Sequence, residues 1–385
     1  MRLLVLTETH PPDRGGMSES CDRILRGLAR EGVQLDVVHF DRRASRFDQR
    51  ATSSGSILRV PPEADAAHLM NLVWNRIAPM KGTHVVAFGG NLPILAAPLF
   101  AAWMRRPLVT MIRGNELDAG LFDPRRRPIL EDALRRASAV CTVTTAHAEK
   151  IAALYEGIEP HVVANGIDLE LWQATPADAT RASAIREVAD GKRILGLFGH
   201  LKNKKGVPFF VDALVRSGFA ERFHLLLAGE LETPVEGVAH TLLPVMDRYE
   251  LIPFYLASDL IVLPSHYDGF PNVLIEAMAL ARPLLASTAG GMRDVLAEGE
   301  EAFLFAPGDA HACRDAIMRA ANASDDELRR MGTAAETVAR RRCDARDETR
   351  RYLEVLHHAE EAFDAKSDSR RDPGPAAREL WWRAR

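Results

Sequence analysis

Twice along the chain, short apolar runs alternate with segments of helical periodicity. In the first half, residues 3–6, 35–40, 84–88, 108–112, 140–143 and 161–163 are runs of strand length, with helical patterns at 18–30, 92–104 and 128–136. A second series has runs at 194–198, 223–227, 260–263, 284–286 and 303–305, with helical patterns at 207–215, 249–257 and 271–280. Strands that are apolar almost throughout are buried on both faces, as in a parallel sheet covered by helices. The right-handed crossover rule then gives each half a doubly wound, Rossmann-like domain. At 385 residues the chain exceeds one ordinary core and fits two. The expected domains span 1–170 and 190–343. The composition shifts from Trp172 to about Asp190, and the link is read just before and within that stretch. From residue 310 onward the pattern is almost entirely helical, and the polar segment 345–365 is long enough to return to the first domain. The tail 366–385 has linker composition and ends near Trp381 and Trp382, a pair suited to dock on the body, another subunit or a membrane surface.

The formal net charge of −4 argues against a dedicated nucleic-acid binder. Four cysteines, Cys21, Cys141, Cys313 and Cys343, are far apart and form no metal-ligand pair, which suits a reducing compartment. The start reads as a first strand rather than a signal peptide, and no apolar run is long enough to span a bilayer, so a cytoplasmic location is expected.

The chemistry concentrates between Ser265 and Ala279. An apolar strand is followed by a loop holding Asp268, Gly269, Phe270 and Pro271, then by an amphipathic run containing Asn272, Val273 and Glu276. Proline is favoured where a helix begins. The free N–H groups at such a helix start, with the helix dipole, attract a phosphate. Asp268 and Glu276 bracket seven residues, and a carboxylate in the first turns of a helix can accept hydrogen bonds from ribose hydroxyls.

This segment resembles the acid–x7–acid motif of retaining GT-B glycosyltransferases, in particular glycosyltransferase family 4. The resemblance runs from Gly15 and Gly16 to the loop around Asp309 and is strongest over 258–295. It implies an α/β chain of GT-B fold, with two Rossmann-like domains facing a central cleft, the donor mainly on the second and the acceptor mainly on the first. By that resemblance Asp268 would contact hydroxyls of the donor sugar, the amides after Gly269 would hold the diphosphate, and Glu276 would hold the ribose. The family usually has glutamate at the first acid; Asp268 is one methylene shorter, which bears on which sugar is carried.

Other segments fit the same reading. Pro11–Gly16 lies between the first strand and the first helix, and its glycines Gly15 and Gly16 allow close approach of a ligand. It lacks the dinucleotide-site spacing and resembles the family's N-terminal glycine loop. Gly199–Gly206 follows the first strand of the second half, at the end where open α/β sheets bind ligands. Lys205 there can neutralise a leaving diphosphate. His200 replaces the family's usual arginine, a departure from a fixed charge to a group often neutral at pH 7. Arg113 stands where many members have histidine. It is either a buried structural arginine held by Glu116 or Asp118, or a ligand for phosphate or an anionic acceptor. Asn165–Gly166 resembles the family's turn at the domain link, expected to use left-handed backbone conformations. Ala289–Gly291 is a second glycine loop or a plain helix lead-in.

There is no Asp-x-Asp, no Walker A loop and no His-Glu-x-x-His. No catalytic metal and no cofactor are expected beyond the nucleotide-sugar substrate, with a UDP-sugar favoured as donor. A glycan, a lipid-linked molecule and a small molecule remain open as acceptor. The basic clusters Arg105–Arg106 and Arg125–Arg127 suit either solvated surface or an anionic membrane or acceptor. Two other readings stay open: a catalytically weak GT-B protein that binds a sugar nucleotide or partners an active transferase, and a sugar-nucleotide epimerase or phosphorylase.

Overall fold

The computed structural model describes residues 1–199 and 201–371; His200 and the tail with Trp381 and Trp382 lie outside the described residues. The chain forms two compact units. The first holds Met1–Thr142, His147–Val163 and the described residues from Thr349 onward; the second holds Val143–Ala146 and Ala164–Glu348.

The first unit is built on an eight-stranded sheet. Its strands are β1 (Arg2–Thr7), β2 (Gln34–Phe40), β3 (Asp48–Thr52), β4 (Gly55–Val60), β5 (His84–Phe88), β6 (Leu108–Ile112), β7 (Ala139–Thr142) and β8 (His161–Val162). Their order is β3-β4-β2-β1-β5-β6-β7-β8, parallel except for the β3–β4 pair. Period-two alternation sorts the side chains onto two faces. Leu4, Leu6, Val85 and Ala87 join one core with Phe100 and Leu130, while Leu3, Val5, Val86 and Phe88 join another with Ile24 and Leu28. Tyr352, Val355 and Leu356 of the last helix, Ala345–Arg371, also enter the second of these cores.

The second unit has a six-stranded, all-parallel sheet of β9 (Arg193–Phe198), β10 (Phe223–Ala228), β11 (His240–Leu243), β12 (Leu260–Leu263), β13 (Leu284–Ser287) and β14 (Ala302–Phe305). Their order is β11-β10-β9-β12-β13-β14. Leu195, Leu197, Leu225 and Leu227 face one core; Ile194, Leu226 and Ile261 face the other.

The structure departs from the sequence expectations at several places. The segment read as a link, with its polar composition, folds as helix Pro176–Arg186 of the second unit. It has a reciprocal Thr175–Asp178 capping box, and only Ala182 is buried, so its polarity reflects an exposed helix face. The last helix runs to Arg371, into the stretch read as linker. Strands β3, β4 and β11 are edge or near-edge strands with polar faces and lack the apolar signature that marked the others. Neither Asn165 nor Gly166 is among the residues with positive φ. Glycine is needed at 166 for space: a Cβ there would sit 2.7 Å from the Cα of Ala345.

The imidazoles of His39, His84 and His224 are buried, and that of His161 is half-buried. Burial holds His39, His84, His161 and His224 below their ordinary value of 6.5. His84 Nε2 lies 3.0 Å from the carbonyl of Leu356 on the last helix. In the unfolded chain His84 takes a proton at its ordinary value, and in the fold only at lower pH. Below about pH 6.5 the unfolded state therefore binds more protons, and stability falls as pH falls. Urea midpoints measured from pH 7.5 down to about 5.5 should decline, and His84→Gln should flatten part of that slope. An identical slope in the variant would contradict this account of His84.

Candidate active site

In the second unit the strand order reverses direction at β9, which lies between β10 and β12. Loops leaving the carboxyl ends of β9 and β12 therefore diverge, and this is where open α/β sheets bind ligands. Two of the sequence segments singled out in this half, Gly199–Gly206 and Ser265–Ala279, leave those two strand ends.

The β9 loop begins at Gly199, whose φ of 99° is open to glycine but not to ordinary residues. Its N–H donates to the carbonyl of Ala228 at 2.9 Å, so Gly199 shapes the loop rather than offering that amide to a ligand. A 3₁₀ turn, Asn203–Lys205, leads to Gly206, with φ 71°. A Cβ at Gly206 would lie 1.9 Å from the carbonyl oxygen of Pro264, just past β12. Next to it, the His266 N–H donates to the Lys204 carbonyl at 3.1 Å. The two loops are thus locked together by backbone contacts, and this brings Lys205 to Asp268. Lys205 Nζ donates to Asp268 Oδ2, and both side chains are partly exposed. Asp268 also accepts from the Ser265 hydroxyl at 3.3 Å and from the Gly269 N–H at 3.0 Å.

Beyond Asp268 the chain turns into helix Asn272–Ala279, with Pro271 as N-cap and no side chain capping it. Its first turn begins at Asn272 and Val273, where the helix dipole favours an anion. Phe270 is buried, its ring filling the space that a Cβ on Gly291 would occupy at 2.1 Å. Two contacts outside the motif hold this loop. The Asn165 side-chain amide donates to the Phe270 carbonyl at 2.6 Å, and the Gly291 N–H donates to the Gly269 carbonyl at 2.7 Å. The sequence marks Asn165 only as a turn residue and Ala289–Gly291 as a second glycine loop or a helix lead-in; both shape the acid loop. Glu276 lies one turn into the helix, only 6% exposed, and accepts a 2.7 Å hydrogen bond from Tyr255. Tyr255 carried no sequence signal beyond an apolar helix position.

Gly15, Gly16 and Arg113 belong to the first unit. There too the strand order reverses, between β1 and β5. Gly15, with φ 119°, is the N-cap of helix Gly16–Arg30, which has no side-chain cap. Arg113 is buried; its guanidinium donates to the Tyr352 hydroxyl and its Cζ lies 5.0 Å from the Phe88 ring centroid. Its N–H donates to Glu116 Oε1, which also accepts from the Gly114 N–H at 3.0 Å. Burial pushes the Glu116 carboxyl above its ordinary value. These contacts favour the structural reading of Arg113, with Glu116 bound to its backbone and Tyr352 to its side chain. Among the basic clusters, Arg126 pairs with Asp123 at 3.2 Å and Arg127 with Glu131 at 2.9 Å. Among the described residues no helix is long and apolar enough to cross a membrane.

Two family models match the chain in succession, "Glycosyltransferase Family 4" over residues 14–171 and "Glycosyl transferases group 1" over 192–323. A D-inositol 3-phosphate glycosyltransferase of Xylanimonas cellulosilytica is 27% identical, over 86% of this chain and 88% of its own length. The lipopolysaccharide core biosynthesis mannosyltransferase LpsB of Rhizobium meliloti is 30% identical over 49% of this chain, and the match spans 57% of that relative. Among solved structures, sucrose-phosphate synthase of Thermosynechococcus elongatus superposes with a TM-score of 0.79 at 18% identity, covering 92% of this chain and 98% of that one. Anabaena HepE in complex with UDP-glucose gives 0.73 at 20% identity, covering 93% and 99%. The two parallel-sheet units are the GT-B fold. With one family model on each half and the acid–x7–acid loop at the switch point of the second sheet, the chain belongs to the group 1 glycosyl transferases of family 4.

Proposed function

We propose that this chain transfers a sugar from a nucleotide-sugar donor to a hydroxyl of a glycan, lipid-linked or small-molecule acceptor, with retention at the anomeric carbon. The observation that carries the reading is the Lys205–Asp268 pair at the β9–β12 switch point, beside an uncapped helix start whose next turn bears Glu276. The diphosphate would lie against the amides at Asn272 and Val273 and the Lys205 ammonium. Asp268 would meet hydroxyls of the sugar, and Glu276 those of the ribose.

In a front-face reaction the bond between the anomeric carbon and the diphosphate oxygen breaks with its electron pair leaving to phosphate. The acceptor oxygen bonds to the anomeric carbon from the same face. Its proton passes to the departing phosphate oxygen, so no side chain need serve as base. The site's task is to hold the negative charge that develops on the leaving group, which Lys205 and the helix start do without a metal. The arrangement would offer two kinds of donor to one diphosphate, an ammonium and backbone amides, with the helix dipole acting through the latter.

Titration of UDP, GDP and ADP into the protein tests the site. Glu276→Ala should weaken the best nucleotide roughly tenfold or more, the worth of a charged hydrogen bond to ribose. Equal affinity in the variant would remove Glu276 from the site.

A further inference from the structure

Glu276 Oε2 accepts its 2.7 Å hydrogen bond from a tyrosine that is itself immobilised. Tyr255, on helix Ile252–Ala257, is fully buried. Its ring meets Phe198 edge-on at 4.6 Å and 70°, and Trp172 edge-on at 5.9 Å and 87°. Phe198 ends β9 and is buried in the core, its ring packed over Gly196, where a Cβ would lie 2.8 Å from its Cζ. Strand β9 and Trp172 thus set the position of the Tyr255 oxygen independently of the acid loop.

A glutamate side chain turns freely about its last bond, whose rotation is broad rather than three-welled. A donor fixed on one carboxylate oxygen stops that rotation and sets the carboxylate plane. An ionised carboxylate has about four acceptor sites, so one such bond leaves capacity for others. Two vicinal hydroxyls need two acceptors at a fixed spacing, and a plane set in advance avoids the ordering cost at binding.

We propose that Tyr255 is a positioning residue, whose hydroxyl fixes the Glu276 carboxylate plane for the two vicinal hydroxyls of the donor's ribose. This rests on the reading of Glu276 as the ribose ligand given above. A merely structural tyrosine would support the fold, and its loss would weaken every nucleotide alike. A positioning tyrosine acts only through the ribose hydroxyls, so its loss should fall on ribonucleotides alone.

The test measures dissociation constants for UDP, GDP and ADP, each beside its 2′,3′-dideoxy counterpart, in the wild-type protein, Tyr255→Phe and Glu276→Ala. The wild type should prefer the best ribonucleotide over its dideoxy form by tenfold or more. Tyr255→Phe should lose most of that preference while its dideoxy affinity stays within about twofold. A variant that weakens both forms equally, or keeps the preference, overturns the proposal. Glu276→Ala separates the two levels. If it keeps the ribose preference, or if none of the three nucleotides binds the wild type, the ribose-site reading itself fails. If it loses the preference while Tyr255→Phe keeps it, only the positioning role fails. Thermal melting checks folding, and should Tyr255→Phe not fold, Phe198→Leu keeps the hydroxyl but loosens its support. A folded Phe198→Leu protein is expected to show a reduced ribose preference, and an unchanged one overturns the proposal.

Discussion

Lys205→Ala should lower the turnover of sugar transfer by roughly 100-fold or more while changing the donor KM by less than about tenfold. The expectation follows from where charge develops. On the proposed reading the diphosphate is already held by helix-end amides before reaction, and these remain in the variant. As the anomeric bond breaks, the new negative charge gathers on the leaving oxygen, and an ammonium held beside it is worth more then than before. The Lys205 side chain is partly buried and pinned by Asp268, so its position is set before the donor arrives. Asp268 is not stranded in the variant, since it still accepts from Ser265 and Gly269. Steady-state kinetics on the variant decide the matter. A raised KM with turnover intact would assign Lys205 to ground-state binding alone.

Gly290→Ala should destabilise the protein by about 3 kcal/mol and weaken nucleotide binding at the same time. Gly290 has φ 54°, and a Cβ there would lie 2.2 Å from the carbonyl oxygen of Asp268 and 2.4 Å from that of Gly269. Both obstacles are backbone, so relief requires moving the acid loop itself. Gly299 supplies the control. Its φ of 75° carries similar backbone strain, but a Cβ there meets nothing within 4 Å. Gly299→Ala should therefore cost only the roughly 1–2 kcal/mol of a left-handed non-glycine residue and leave nucleotide affinity alone. Urea midpoints and nucleotide titrations on the pair of variants separate strain from clash. Equal costs in the two would show that the loop yields easily.

Much of the fold was legible because its strands are short apolar runs between helical patterns, a signature that survives without any contact information. The edge strand β3 and its neighbour β4 were not, since β3 buries no side chain and β4 buries only Leu58 and Val60. Helix Pro176–Arg186 was missed for the related reason that it buries so little. The acid loop was readable from its motif, but what holds the loop in place was not. Asn165 and Gly290 reach the loop, and Tyr255 reaches Glu276 on the helix after it, across 21 to 105 residues of sequence, as the spans of the Tyr255–Glu276 and Asn165–Phe270 bonds show. Such partners become visible only when strands β9, β12 and β13 lie side by side. Asn165–Gly166 shows the opposite error: turn-like residues used for close packing and a loop-directed amide rather than for left-handed backbone.

The most direct test of the account is nucleotide release by the purified protein across UDP-, GDP-, ADP- and dTDP-sugars. Lys205→Ala and Glu276→Ala run beside the wild type, with mono- and oligosaccharide and polyol-phosphate acceptors supplied. The account predicts release from one donor class, stimulated by an acceptor and lost in both variants. Tight binding of a sugar nucleotide with no release under any acceptor, or release unchanged in both variants, would contradict it.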